Sequence, residues 1–209
     1  MYIPRYFKVT DMDEIRSFIR ENSFGTMVTT HHGKPMASHL PLELHNQKGD
    51  YYITGHMAYA NPQWRTFEES KDNVLVMFNG PDAYISSSWY QSNNVPTWNY
   101  QAVHIYGRAS MMTEEELQKD VTLLLKKYEQ DRENAALWED LSFYTKRQIK
   151  GIVGFKIKVL DMQAAYKLSQ NRNETDYTNI IAKLYEEDTT KSKQMAELME
   201  DRLKEREKN

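Results

Sequence analysis

Between Phe24 and Met111 the chain is a succession of short segments rich in β-branched and aromatic residues, set apart by turn-forming residues. Such segments bury one face by pairing with their neighbours, so the pattern predicts an antiparallel meander. Phe24 to Thr30 reads as a strand and His31-His32-Gly33-Lys34 as a turn. Met36 to Leu44 alternates apolar and polar residues for much of its length, and Asp50 to His56 follows after a turn at Asn46 to Asp50. Asn61-Pro62 opens a short helix, because Asn caps well and Pro suits the first helical position. Asn73 to Phe78 is a strand, Asn79-Gly80-Pro81-Asp82 a turn, Ala83 to Tyr90 a strand, Gln91 to Val95 a polar loop and Asn99 to Met111 a long strand.

Helices flank this run. Thr10 with Asp13 and Glu14 marks a helix start, and Ile15, Phe18 and Ile19 fall on its apolar face. Thr113 with Glu116 has the form of a capping box, and Leu117, Val121, Leu124 and Leu125 give that helix its buried side. A second helix is expected over Ala135 to Lys150, a late strand over Ile152 to Leu168, and a charged helical tail from Asn173 in which Ile180, Ile181 and Leu184 can dock. Lys191 to Asn209 reads as a solvated or partner-bound helix. The layout is α+β: a small antiparallel barrel with flanking helices and a helical tail.

With 209 residues, 40% of them hydrophobic, the chain can furnish a full core. A net charge of -3 argues against a broad basic surface for nucleic acid. Two local basic clusters, Lys146, Arg147 and Lys150, and Arg202, Lys204, Arg206 and Lys208, read first as solvated helix faces. No cysteine is present, which excludes disulfides and thiolate metal sites and suits a reducing compartment. The chain start has no signal-peptide core, and no stretch is apolar enough to cross a bilayer, so the expectation is a cytoplasmic protein without a membrane partner.

Three groups of residues could carry chemistry. In Ser38-His39-Leu40-Pro41, a proline within a strand removes a ladder donor, so it belongs at an edge or bulge where backbone groups stay free for a ligand. An ordinary edge-strand proline with a surface histidine is the plainer reading. In Gly55-His56 to Asn61-Pro62, a strand feeds a helix start, which favours an anion; a capped structural helix is the plainer reading. Ser86, Ser87, Ser88 and Trp89, followed by Val95 to Tyr100 with Trp98 and Asn99, pair hydroxyls with aromatic walls, as a pocket or a core would. The six histidines show no compact ligand spacing, so no metal site is expected. Nucleophile elbows and phosphate-binding glycine loops are missing.

Taken together, Met1-Tyr2-Ile3-Pro4, Phe24-Gly25-Thr26, His39-Leu40-Pro41, Gly55-His56 with Asn61-Pro62-Gln63-Trp64, Ile85-Ser86 with Ser88-Trp89-Tyr90, Val95 to Tyr100, Gly151 to Gly154 and Lys167 to Arg172 resemble the PaiB family. The resemblance implies a split β-barrel similar to pyridoxamine phosphate oxidase, a homodimer, and FMN as cofactor. It implies that residues 1–172 form the flavin domain with a helical insertion at 113–150, and that 173–209 form a C-terminal extension. It also implies that Ser38 to Pro41 run along the flavin, His56 and Asn61 lie near its phosphate, Ser86 to Trp89 line the pocket, and Trp98, Asn99 and Arg172 approach it. The oxidase's paired Arg-Lys phosphate clamp has no counterpart visible in the sequence. Family members are negative regulators of transcription, linked in bacilli to sporulation and protease genes. An FMN-dependent oxidoreductase, a haem-binding barrel and a protein that has lost its cofactor stand as alternatives, and whether the chain is an enzyme is left open. Direct binding to DNA has little support in the sequence.

Overall fold

The structure is a computed structural model, and it describes residues 1–207. Lys208 of the second basic cluster, and the side chain of Arg206, lie outside the described residues.

The strands are β1 (Lys8–Val9), β2 (Phe24–His31), β3 (Lys34–Gln47), β4 (Asp50–Ala58), β5 (Val74–Ile85), β6 (Thr97–Met111) and β7 (Ile152–Lys167). Their hydrogen-bonded order is β1-β7-β4-β3-β2-β5-β6, and a further β7–β6 pairing returns the order on itself, with β1 added beside β7. The registers of β1, β2, β3, β4 and β7 with their partners are antiparallel. The helices are α1 (Met12–Glu21), α2 (Phe67–Ser70), α3 (Glu114–Glu129), α4 (Phe143–Lys146), α5 (Glu174–Glu186) and α6 (Thr190–Glu207).

The chain folds as two compact units made of interleaved segments. One comprises Met1–Phe18, Phe78–His104 and the residues from Gln163 onward; its core holds Ile15, Ile85, Val103, Tyr177, Leu184 and Met199. The other comprises Ile19–Met77 and Ile105–Met162; its core holds Met27, Leu42, Ile53, Val76, Phe155 and Ile157.

Several expectations change at the level of local chemistry. Asp11, not Thr10, caps α1: its Oδ1 accepts from the amides of Asp13 (2.9 Å) and Glu14 (3.0 Å), since it stands one residue before the first turn. Asn79 to Asp82 is no turn but the middle of β5. Gly80 serves close packing there, because a Cβ would come 2.8 Å from the Phe18 ring. The strand expected over Ala83 to Tyr90 ends at Ile85, where the Ser86 hydroxyl takes the amide of Ser88 (3.2 Å) and starts a 3-10 turn over Ser87–Trp89. The second helix expected over 135–150 breaks into three short pieces, one of them capped at Ser142, and none of the three buries a residue fully. The capping box at Thr113 forms as expected, with bonds of 3.2 and 2.9 Å.

The last helix does not stand free: it docks one stripe into the fold and leaves its other faces exposed. Met195, Ala196 and Met199 are fully buried, and the Tyr177 hydroxyl donates to the Met199 carbonyl at 3.0 Å. Apolar residues spaced three or four apart on α6 thus meet α5.

Candidate functional site

β3 changes partner partway along. Residues 34–41 pair with β2, while 42–47 pair with β4. Pro41, which has no amide hydrogen, stands at the changeover, and Pro35 stands near the other end of the first half. From 34 to 41 one backbone edge of the strand therefore has no strand partner. That is the edge the sequence predicts from Pro41.

Side-chain alternation divides the predicted residues of β3 between two faces. His39 and Pro41 lie on the exposed face, opposite Thr26 and Phe24 respectively. The His39 Nδ1 and the Thr26 hydroxyl are 2.9 Å apart, and the imidazole stacks on the Phe24 ring at 6.3 Å. Phe24 is 70% exposed, so this face offers an uncovered aromatic surface beside a hydrogen-bonding ring. Leu40 is buried and presents only backbone.

Ser38 lies on the other face, where its hydroxyl accepts from the Asn61 amide at 2.8 Å. Asn61 also caps the 3-10 helix Pro62–Thr66, accepting from the Gln63 amide at 3.0 Å. Gln63 is buried, and its Nε2 donates to the carbonyls of Met27 and Met36, both at 3.0 Å. Ser38, Asn61 and Gln63 thus fasten the segment after β4 onto the β2–β3 pair. The five-residue helix has Pro62 at its first position and spends the amide of Gln63 on Asn61 itself. A cation stands close by in sequence: Arg65 lies 4.9 Å over the Trp64 ring. His56, on β4, is half-buried, and burial holds its imidazole below its ordinary value against the opposing pull of Asp120.

The remaining predicted residues fall in the other unit. Ser86 and Ser88 hydroxyls meet at 2.9 Å, Ser87 is exposed, and Trp89 is tied through its carbonyl to the Asn179 amide. Trp98 is 53% exposed and meets Tyr84 edge-on at 5.9 Å. Asn99 is fully buried and exchanges hydrogen bonds with Ser169, at 3.0 and 3.1 Å, so its amide braces the turn after β7. Arg172 lies 4.5 Å over the Tyr90 ring. Beside it Lys167, bonded to the Thr97 hydroxyl, is held below the usual lysine range by burial and by the Arg172 charge. Lys167 and Arg65 are not among the site residues expected from the sequence. Both are single cations, and only the fold sets one beside Arg172 and the other on Trp64.

The donor set suits a flavin mononucleotide. A strand edge without a second strand partner matches the polar rim of the ring, His39 and Phe24 match its face, and hydroxyl, amide and guanidinium groups match the sugar and phosphate.

A family described as "Putative FMN-binding domain" matches residues 1–161. Protease synthase and sporulation protein PAI 2 of Bacillus subtilis (strain 168) is 64% identical over 205 residues, spanning 98% of this chain and 99% of its own. Among solved structures, the flavocytochrome Anf3 from Azotobacter vinelandii aligns with a TM-score of 0.62 at 15% identity, over 85% of this chain and 78% of its own. The FAD and heme binding protein from Mycobacterium smegmatis aligns with a TM-score of 0.58 at 12% identity, over 77% and 73%. At those identities the structural likeness is one of fold, and it agrees with the expected split barrel. With its first 161 residues matched and two-thirds of its positions shared with PAI 2, the chain belongs to the PaiB-type family of FMN-binding domain proteins.

Proposed function

We propose that this chain is an FMN-binding regulatory protein, a negative regulator of transcription acting on protease synthesis and sporulation. The regulatory part rests on the identity with PAI 2, whose name carries both processes. The binding part rests on one observation above others: the unpaired edge of β3 over 34–41, framed by two prolines and backed by the Ser38–Asn61 bond. The free edge would read the polar rim of the flavin, while His39 and Phe24 would lie against its ring. Arg65, in the same unit as Ser38 and Asn61, is the cation available for the phosphate. FMN, when bound, supplies reversible two-electron chemistry. Its occupancy acts on regulation to the extent that one conformation binds it better than another.

A homodimer is part of this reading, supported by the exposed aromatic surface of Phe24 in one unit and of Trp98 with Val95 in the other. The cysteine-free composition supports a cytoplasmic setting. Among the described residues no helix is long and apolar enough to cross a membrane. Contact with DNA is the finer step. Its candidate surface is Lys146, Arg147 and Lys150 beside Phe143 and Tyr144, which are 71% and 81% exposed. Replacing the three cations with Ala together should abolish a salt-sensitive shift of promoter DNA. An undiminished shift removes that surface from the account.

The test of the binding part is a titration with FMN followed by flavin absorbance. His39→Ala and Asn61→Ala should each weaken binding by about 5–30-fold, the equivalent of about 1–2 kcal/mol. Binding unchanged in both variants contradicts the placement on β3.

A further inference from the structure

The hairpin joining β2 to β3 carries a second cluster that the flavin reading does not use. In an extended strand His31 and His32 would point to opposite faces. Here they do not, because the backbone enters the left-handed region at His32 (φ 48°) and again at Gly33 (φ 76°). That conformation is uncommon for a residue other than glycine. It brings the two imidazoles to one side, with centroids 4.1 Å apart. Glu69, from α2, reaches the same place across 38 residues of sequence. Its Oε2 lies 3.2 Å from the His31 Nδ1, and its Oε1 accepts the His32 amide at 2.5 Å.

The carboxylate is held there by buried bonds beneath it. Ser70 accepts the Thr30 amide at 2.9 Å, and the Thr66 hydroxyl donates to that of Thr29 at 2.7 Å. Ser70, Thr66 and Thr29 are each at most 3% exposed, so α2 is fixed to the end of β2 and Glu69 is positioned in advance.

Two imidazoles and a carboxylate each offer one ligand atom, all within 4.8 Å of one another. Two ligand atoms about 2.0–2.2 Å from a tetrahedral metal stand about 3.3–3.6 Å apart. The His31–Glu69 separation of 3.2 Å is already close to that span. The His32 ring is exposed and closes the third position by side-chain rotation. We infer that His31, His32 and Glu69 form a site for a divalent metal of the zinc class, with water completing the coordination. The nitrogen-rich donor set selects against magnesium and calcium, which prefer oxygen alone. A bound ion would tie the hairpin tip to α2.

The test is a titration of untagged, chelator-stripped protein with Zn2+ in excess Mg2+. The chain should take up a single equivalent and melt at a higher temperature. His31→Gln and His32→Asn, the latter because Asn tolerates the left-handed backbone, should each weaken uptake by about 10–100-fold. His45→Gln should leave it unchanged. Both variants carry exposed substitutions, so the folded state is checked by FMN titration, which should match the parent whatever happens to the metal. No uptake by the parent, or full uptake by the His31→Gln/His32→Asn double variant, overturns the site.

Discussion

Asn99 shows how much one buried side chain can carry. It is fully buried, its amide and the Ser169 hydroxyl satisfy each other in both directions, and Ser169 sits at φ 60°. Removing the amide leaves the hydroxyl unpaired in the core. Asn99→Ala should lower stability by about 1–3 kcal/mol in urea unfolding, and a loss of a few tenths would contradict the bracing role. Two histidines give a second residue-scale expectation. Burial lowers the pKa of His56 and of His104 below the ordinary 6.5, with the Met1 amine adding to the effect at His104. Unfolded, both rings take a proton near that value; folded, they resist it. Their contribution to stability is therefore complete above about pH 6.5 and is lost as pH falls below it. Carboxylates titrate lower, near pH 4. The unfolding temperature should drop between pH 7.5 and 5.5, and His104→Gln should reduce the drop. An equal drop in the variant would contradict this. At this scale the sequence pointed to Asn99 as a candidate but not to its partner, because Ser169 lies 70 residues away.

Elements were more legible than their exact limits. Period-two alternation and the capping box at Thr113 depend on near neighbours, and both appear in the structure as read. Gly80-Pro81 was read as punctuation because those residue types dominate turns. The fold uses Gly80 instead for the approach of Phe18, a tertiary demand that local sequence does not reveal. The tail was misread for a related reason: α6 is charged on most faces, and its narrow buried stripe at Met195, Ala196 and Met199 needs α5 to give it meaning. Met199→Ala should cost about 2–5 kcal/mol, measured by urea unfolding. A cost below 1 kcal/mol would mean that α6 is loosely held. Gly107 is a comparable case between β6 and β7, where a Cβ would collide with the Lys158 carbonyl and come 2.6 Å from the Ile157 side chain. Backbone cannot yield as a side chain can, so Gly107→Ala should destabilise by about 1–3 kcal/mol. Wild-type stability in that variant would show that the strands are less closely apposed.

For the whole molecule, the strand order leaves the backbone open at the proposed flavin site. A strand fully paired on both edges has nothing left to offer a planar ligand, whereas β3 has no second strand partner over residues 34–41 before β4 covers it. The proline at the changeover was readable in the sequence, and so was the family. Arg172 was legible through the family, but Arg65 and Lys167 were not: they acquire meaning only from the ring and the hydroxyl they meet in three dimensions. Binding to the folded chain alone stabilises it by mass action, about 2.7 kcal/mol at a hundredfold excess over Kd. The measurement closest to the central claim is an absorption spectrum of the purified protein, joined to mass analysis of whatever it releases on denaturation. Oxidised-flavin bands with released FMN, or their appearance in stoichiometric amount when FMN is added to colourless protein, is the predicted result. A Soret band with released haem, or protein that stays colourless and melts at an unchanged temperature in excess FMN, would contradict it.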